Sequence, residues 1–96
     1  MEKSWYVYVA TNYSNTVLYT GITNNIVRRA YEHKANNDTL SFSGRYHLYK
    51  IVWVQEFSSP DEAITAEKKI KGWTRAKKLE LIQTVNPSLS NLISLR

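Results

Sequence analysis

The sequence predicts one α/β (α+β) domain with the element order β-β-α-β-α-α, on three observations. Residues 5 to 33 read as strand, turn, strand and helix in immediate succession, the run Ile51-Val52-Trp53-Val54 marks a third strand, and capping signals at Ser59 and Thr74 open two further helices. A chain of 96 residues has room for one modest core and not two. Hydrophobic residues at 43% and charged residues at 22% put it in the ordinary globular range.

From Trp5 to Ala10 the side chains alternate between two sets, Trp5, Val7, Val9 and Tyr6, Tyr8, Ala10. Both sets carry aromatic or β-branched residues, which predicts a central strand covered on both sides. Thr11 to Asn15, with two Asn and a Ser, is a turn. Thr16 to Thr20 returns as a second strand, making an antiparallel hairpin with a loop longer than the tightest type. Gly21 is expected to end that strand where the backbone comes close to a packed helix or a ligand.

Asn24 or Asn25 then caps a helix running to about Ala35. Ile26 and Ala30, four apart, mark its inward stripe, and Arg29 and His33 fall on the same stripe. Arg28 lies off it and is expected to pair with Glu32. Residues 36 to 47 are polar, with a Ser-Gly pair, and read as a loop with Phe42 and Tyr46 as anchors.

Leu48 to Phe57 is expected to be a strand buried on both faces. Ser59, Pro60 and Glu62 spell a capping serine, a proline at the first helical position and a reciprocal Glu, for a helix to about Lys71 that stops at Gly72. Ala63, Ile64 and Ile70 define its inward side, and Glu67 sits on that side. A carboxylate there is costly unless paired, protonated or bound to metal. Thr74 caps a third helix to about Val85, with Leu79, Ile82 and Val85 inward. Asn86 and Pro87 close it, and Leu89 to Leu95 can pack back on the core.

Composition excludes several function classes. Without cysteine there is no disulfide framework, thiol nucleophile or common structural zinc site. The N-terminal stretch lacks the pattern of a secretory signal and no apolar run approaches a membrane span, so a soluble cytoplasmic protein without a membrane partner is expected. Thirteen Lys and Arg against eight Asp and Glu give a net charge of +5 and a pI near 9.6, which favours a polyanionic partner. Lys68, Lys69, Lys71, Arg75, Lys77 and Lys78 fall within eleven residues. Taken alone, such a run is more often a solvated helix face.

Tyr6-Val7-Tyr8, ten residues, then Tyr19-Thr20-Gly21, with Arg29 ten positions after Tyr19 and His33 four further on, resembles the signature of the GIY-YIG endonucleases. Phe42-Ser43-Gly44-Arg45-Tyr46, the strand Ile51 to Glu56, and AITAEKKIKGWTRAKKLELI followed by Asn86-Pro87 resemble the small stand-alone branch of that superfamily. The likeness covers roughly residues 5 to 92. Tyr6-Val7 stands where the first triplet has Gly-Ile, as is common in this branch, and Ala66 stands where the branch usually has Arg.

The resemblance implies a single nuclease domain over residues 1–96, with a central three-stranded antiparallel sheet flanked by three helices. It further implies metal-dependent hydrolysis of DNA phosphodiesters. Carried over residue by residue, Tyr8, Tyr19, Arg29 and His33 are the catalytic set, Glu67 is the ligand of one Mg²⁺ or Mn²⁺ ion, and Tyr6, Gly21 and Asn86 are supporting positions. Arg45 and the cations from Lys68 to Lys78 are expected to meet the nucleic-acid backbone. The partner is DNA, whether branched, damaged or nonspecific duplex. With no zinc finger or helix-turn-helix appended, targeting falls to the domain surface, a homodimer or a partner protein.

The chemistry of these residue types agrees. Phosphodiester cleavage needs a base for the water, positive charge for the phosphate and help for the leaving oxygen. A phenol of ordinary pKa about 10 is a poor base at neutral pH, so a tyrosine, Tyr8 or Tyr19, is expected to work with a neutral His33. Arg29 would clamp the phosphate oxygens. Against this, each residue has a plain structural role: strand tyrosines, a helix-ending His33, an Arg29 stem along the core, a Glu67–Lys71 pair. An inactive nucleic-acid-binding module of the same fold is the competing function, and a purely structural or protein-interaction domain is a third.

Overall fold

The computed structural model describes residues 4–35, 48 and 50–93, with residues 33–35 as backbone only. The loop expected over 36–47, with Phe42, Arg45 and Tyr46, lies outside the described residues. Within them the chain forms β1 (Trp5–Thr11), β2 (Leu18–Thr23), α1 (Ile26–Ala35), β3 (Lys50–Phe57), α2 (Pro60–Lys71) and α3 (Arg75–Gln83). The strands make one antiparallel sheet in the order β2-β1-β3. No helix among these residues is long and apolar enough to cross a membrane.

β1 is the central strand, and both its alternating sets are buried from Val7 onward, with Trp5 and Tyr6 half-buried at its start. Val7 and Val9 face a core built with Val52, Trp53, Ala63, Ile70, Ile82 and Leu89, under α2 and α3. Tyr8 and Ala10 face the other way, toward Ala30 of α1, Leu48 and Ile51. A bulge in β3 feeds the first core: Val9 pairs with Trp53 but Ala10 pairs with Ile51, so Val52 is left over in the register and joins Trp53 on the same side.

Several element details differ from expectation. β2 runs on to Thr23, so Gly21 lies inside the strand and not at its end. Ser59 occupies the N-cap of α2 with extended backbone, yet its hydroxyl makes no capping bond; the proline at the start and the acidic first turn, Asp61 and Glu62, remain favourable. Gly72 ends the helix with ordinary right-handed backbone, so no left-handed cap is formed. Ile64 is 42% exposed, because the buried stripe runs through Ala63, Ala66 and Ile70, about 100° to one side of it.

On α3 the Thr74 hydroxyl accepts from the Lys77 amide as expected. Val85, however, is 68% exposed. The helix ends at Gln83, and the inward position one turn after Ile82 passes to Asn86. Its buried amide donates to the Val52 carbonyl (2.9 Å) and the Ser90 carbonyl (2.8 Å), and its oxygen accepts from the Ser90 amide (3.1 Å). Asn86 therefore clips the bulge to the tail, which continues along the β3 edge: Asn91 Oδ1 accepts from the Ile51 amide, and the Leu92 amide donates to the Ile51 carbonyl.

The β1–β2 loop is held from inside and out. Asn12 Oδ1 accepts from the Thr16 amide (2.8 Å), and Asn15 adopts left-handed backbone (φ 58). Lys50 Nζ donates to Asn15 Oδ1 (2.6 Å) and to the Leu89 carbonyl (3.1 Å). Arg75, at the start of α3, donates to the carbonyls of Asn15 and Thr16.

Candidate active site

The site is built on the α1 side of the sheet. Tyr8 is fully buried there, opposite Gly21 in the register. A Cβ placed on Gly21 would lie 2.5 Å from the Tyr8 hydroxyl oxygen and 2.6 Å from Cζ, closer than real Cβ contacts allow. The glycine is thus required by space: the Tyr8 ring lies across β2 where a side chain would stand. What approaches Gly21 is a tyrosine ring, in place of the expected helix or ligand.

Arg29 Nε donates to the Tyr8 hydroxyl at 3.0 Å. Its Nη1 lies 3.5 Å from Glu32 Oε1. Arg28 takes a different course, donating from Nη2 to Asn24 Oδ1 at 3.3 Å on the exposed side. Glu32 therefore partners Arg29, contrary to the expected Arg28 pair. Long helical side chains lean toward the N-terminus, which carries Arg28 back over Asn24. The expected difference in placement is seen: Arg29 is half-buried on the sheet side, and Arg28 is exposed.

Burial pushes the Tyr8 phenol above its ordinary range, and the hydrogen bond and charge of Arg29 offset this only in part. Burial also works against the Arg29 cation, but the bond to Tyr8 and the electronegative neighbours Tyr8, Tyr19 and Glu32 outweigh it and raise its pKa. The pair is a neutral phenol holding a permanent cation.

Tyr19, half-buried on β2, stands with its ring centroid 6.3 Å from that of Tyr8, tilted by 49°. From α2, in the opposite layer, Lys71 brings its ammonium 6.0 Å from the Tyr19 ring centroid. The same ammonium is 3.3 Å from Glu67 Oε2, and the Glu67 side chain is only 15% exposed. Contacts therefore run in series from Arg29 through Tyr8 and Tyr19 to Lys71 and Glu67. Lys71 was expected on the DNA backbone; its i, i+4 spacing to Glu67 was the signal that it belongs to this series.

Glu67 is a sheltered single carboxylate, and among the described residues no three His, Cys, Asp or Glu gather in one place. This donor set fits Mg²⁺ or Mn²⁺ better than zinc or calcium. Mg²⁺ is commonly held by one or two carboxylates while keeping several waters, whereas zinc and calcium want more protein ligands.

The other expected residues divide. His33 sits in α1, its side chain outside the described residues. Tyr6 makes a long contact to Glu56 (3.4 Å) at the exposed end of the sheet, and Asn86 is the internal clip described above. The run of cations is not one patch. Arg75, exposed at the start of α3, donates to the carbonyls of the hairpin loop. Lys69 and Lys77 lie 6.0 Å and 4.5 Å from the Trp73 ring centroid, and Lys68 is exposed.

Element order, paired tyrosines and a helix-borne arginine together define the α+β domain expected from the sequence. The profile of the GIY-YIG catalytic domain matches residues 4–80, and the chain belongs to that family. It is 38% identical over 82 residues to a UPF0213 protein of Natronomonas pharaonis, covering 85% of this chain and 94% of that one. A UPF0213 protein of Vibrio parahaemolyticus is 35% identical over 83 residues, covering 86% of this chain and 76% of the relative. The solution NMR structure of a UPF0213 protein from Bacillus halodurans matches with a TM-score of 0.54 at 26% identity, covering 88% of each chain.

Proposed function

We propose that the protein is a divalent-metal-dependent endonuclease that hydrolyses phosphodiester bonds in DNA. The observation that carries this reading is the seating of Arg29: its Nε is fixed on the Tyr8 hydroxyl at 3.0 Å, which orients the guanidinium toward phosphate oxygens once they displace the long, exposed contact of Nη1 to Glu32. Tyr8 is thereby a positioning residue, since a buried phenol with a raised pKa suits holding a cation better than taking a proton. Tyr19, half-buried on the neighbouring strand, is assigned the proton of the attacking water, with His33 from α1 to relay it. Glu67 would hold one Mg²⁺ or Mn²⁺, which when bound supplies positive charge to the leaving oxygen.

Supercoiled plasmid and branched DNA, incubated with the protein with and without Mg²⁺ or Mn²⁺, test the reading by nicking. Glu67→Ala should abolish ion-dependent cleavage while leaving the melting curve and most DNA binding intact; retained cleavage would sink the one-ion assignment. One observation favours the inactive binding module, namely that Lys71 already neutralises Glu67. Nicking absent from the wild-type protein in every ion, with DNA still bound, decides for that module.

A further inference from the structure

Between α2 and β3 lies a groove of about 250 Å³. Ala66, Lys69 and Ile70 are its α2 residues, which centres it about a quarter turn around the helix from Glu67. Trp53, Phe57, Ile70 and Trp73 form apolar walls, and Gln55 and Lys69 stand among the lining residues. Trp73 divides this groove from a second depression lined by Lys77 and Glu80. Both lysines rest against its ring system.

We propose that this groove takes one unpaired base of a nucleic-acid strand, stacked on Trp73, with Lys69 and Lys77 meeting the flanking phosphates. The proposal rests on the nucleic-acid reading above and gives that substrate a single-stranded or locally opened segment. Aromatic faces beside mobile cations are the means by which single strands are held without regard to sequence. The Gln55 amide can meet a base edge. A protein occupant fits less well: lysines are depleted from the cores of protein interfaces. A stable interface also buries about 800 Å² per partner, more than this groove offers. The balance of charge sets the direction of the strand: the adjoining depression beyond Phe57 has Asp61 and Glu62 against Lys69, whereas on the Trp73 side Lys69 and Lys77 stand against Glu80, which favours the phosphates there.

The test is fluorescence anisotropy in EDTA, so that nothing is cleaved, with a labelled 15-nucleotide oligothymidylate, the same length made of abasic residues, and a 15-base-pair duplex. Trp73→Leu should weaken oligothymidylate binding about tenfold or more and duplex binding less than twofold, and Trp73→Phe should keep most of the affinity. The wild-type protein should bind the abasic strand about as weakly as Trp73→Leu binds oligothymidylate, a comparison that holds even if the variant folds poorly. Equal affinity of the wild type for abasic and normal strands, or equal loss on strand and duplex in Trp73→Leu, overturns the proposal. Either result leaves the endonuclease reading standing if the plasmid is still nicked. A selective loss in a protein that never nicks upholds the groove and removes the enzyme.

Discussion

The two faces of the sheet are built on different terms. Under α2 and α3 the core is Val7, Val9, Val52, Ile82 and their neighbours, held mainly by shape. Polar groups enter it at two points: the Asn86 amide bonds to the Val52 carbonyl, and the buried hydroxyl of Thr20 has no partner among the described residues. On the α1 face the centre is Tyr8, whose ring needs the missing side chain of Gly21 and whose hydroxyl takes the Arg29 guanidinium. The first face is tolerant in kind and costly in volume. The second is intolerant in kind, and at Gly21 in volume as well, which is why chemistry is assigned to it.

This contrast can be broken by single substitutions, beginning with the largest effect. Ile82→Ala empties a fully buried site on the apolar face and should cost about 2–5 kcal/mol of stability, read by urea denaturation. Cleavage per folded molecule should not change. Arg29→Ala inverts that pattern: melting should move little, but single-turnover cleavage should fall about a hundredfold, the size of a lost transition-state contact of about 3 kcal/mol. Arg29→Lys should recover part of the loss, because an ammonium lacks the planar fork.

Gly21→Ala should do both at once, which neither of the other two can. The new methyl meets a ring held between strands, an overpacking expected to cost about 1–3 kcal/mol, and displacement of Tyr8 unseats Arg29. Melting and cleavage measured on the same preparation should therefore fall together; a rate unchanged at reduced stability would detach Tyr8 from the chemistry. Arg28→Ala marks the small end. It removes one exposed contact to Asn24 and should cost a few tenths of a kcal/mol and no rate. If it slows cleavage more than Arg29→Ala, the assignment of the two arginines is reversed.

What the sequence made legible was local or periodic. The alternation of β1, the Ile26–Arg29–Ala30 stripe of α1 and the Thr74 cap are matters of spacing within a few residues, and the structure keeps them. Glu67, the single sheltered acid among the described residues, also follows from spacing. What it hid depends on register between distant segments. That Gly21 serves Tyr8 becomes visible only once those two residues are paired across the strands. That Arg75 donates to the hairpin loop requires knowing that α3 begins beside Asn15, sixty residues earlier in the chain. Val85 gave way to Asn86 because the β3 bulge turned the Val52 carbonyl inward to a donor, and no periodicity reports a carbonyl without a partner. The Ser59 motif erred otherwise: its residues were correct, but the hydroxyl does not bond.

The placement of β1 sets the order in which the chain can fold. It is the first strand made and also the middle one, so its second neighbour, β3, is paired across more than half of the chain, Trp5 to Phe57. A growing chain can close the β1–β2 hairpin early, yet it then presents the far edge of β1, with Val7 and Val9 above it, until Phe57 has been synthesised. An open apolar edge of this kind invites pairing with another chain. Completion of the sheet is therefore a late, long-range step, and the amides that β1 shares with β3 should gain protection from hydrogen exchange after those it shares with β2.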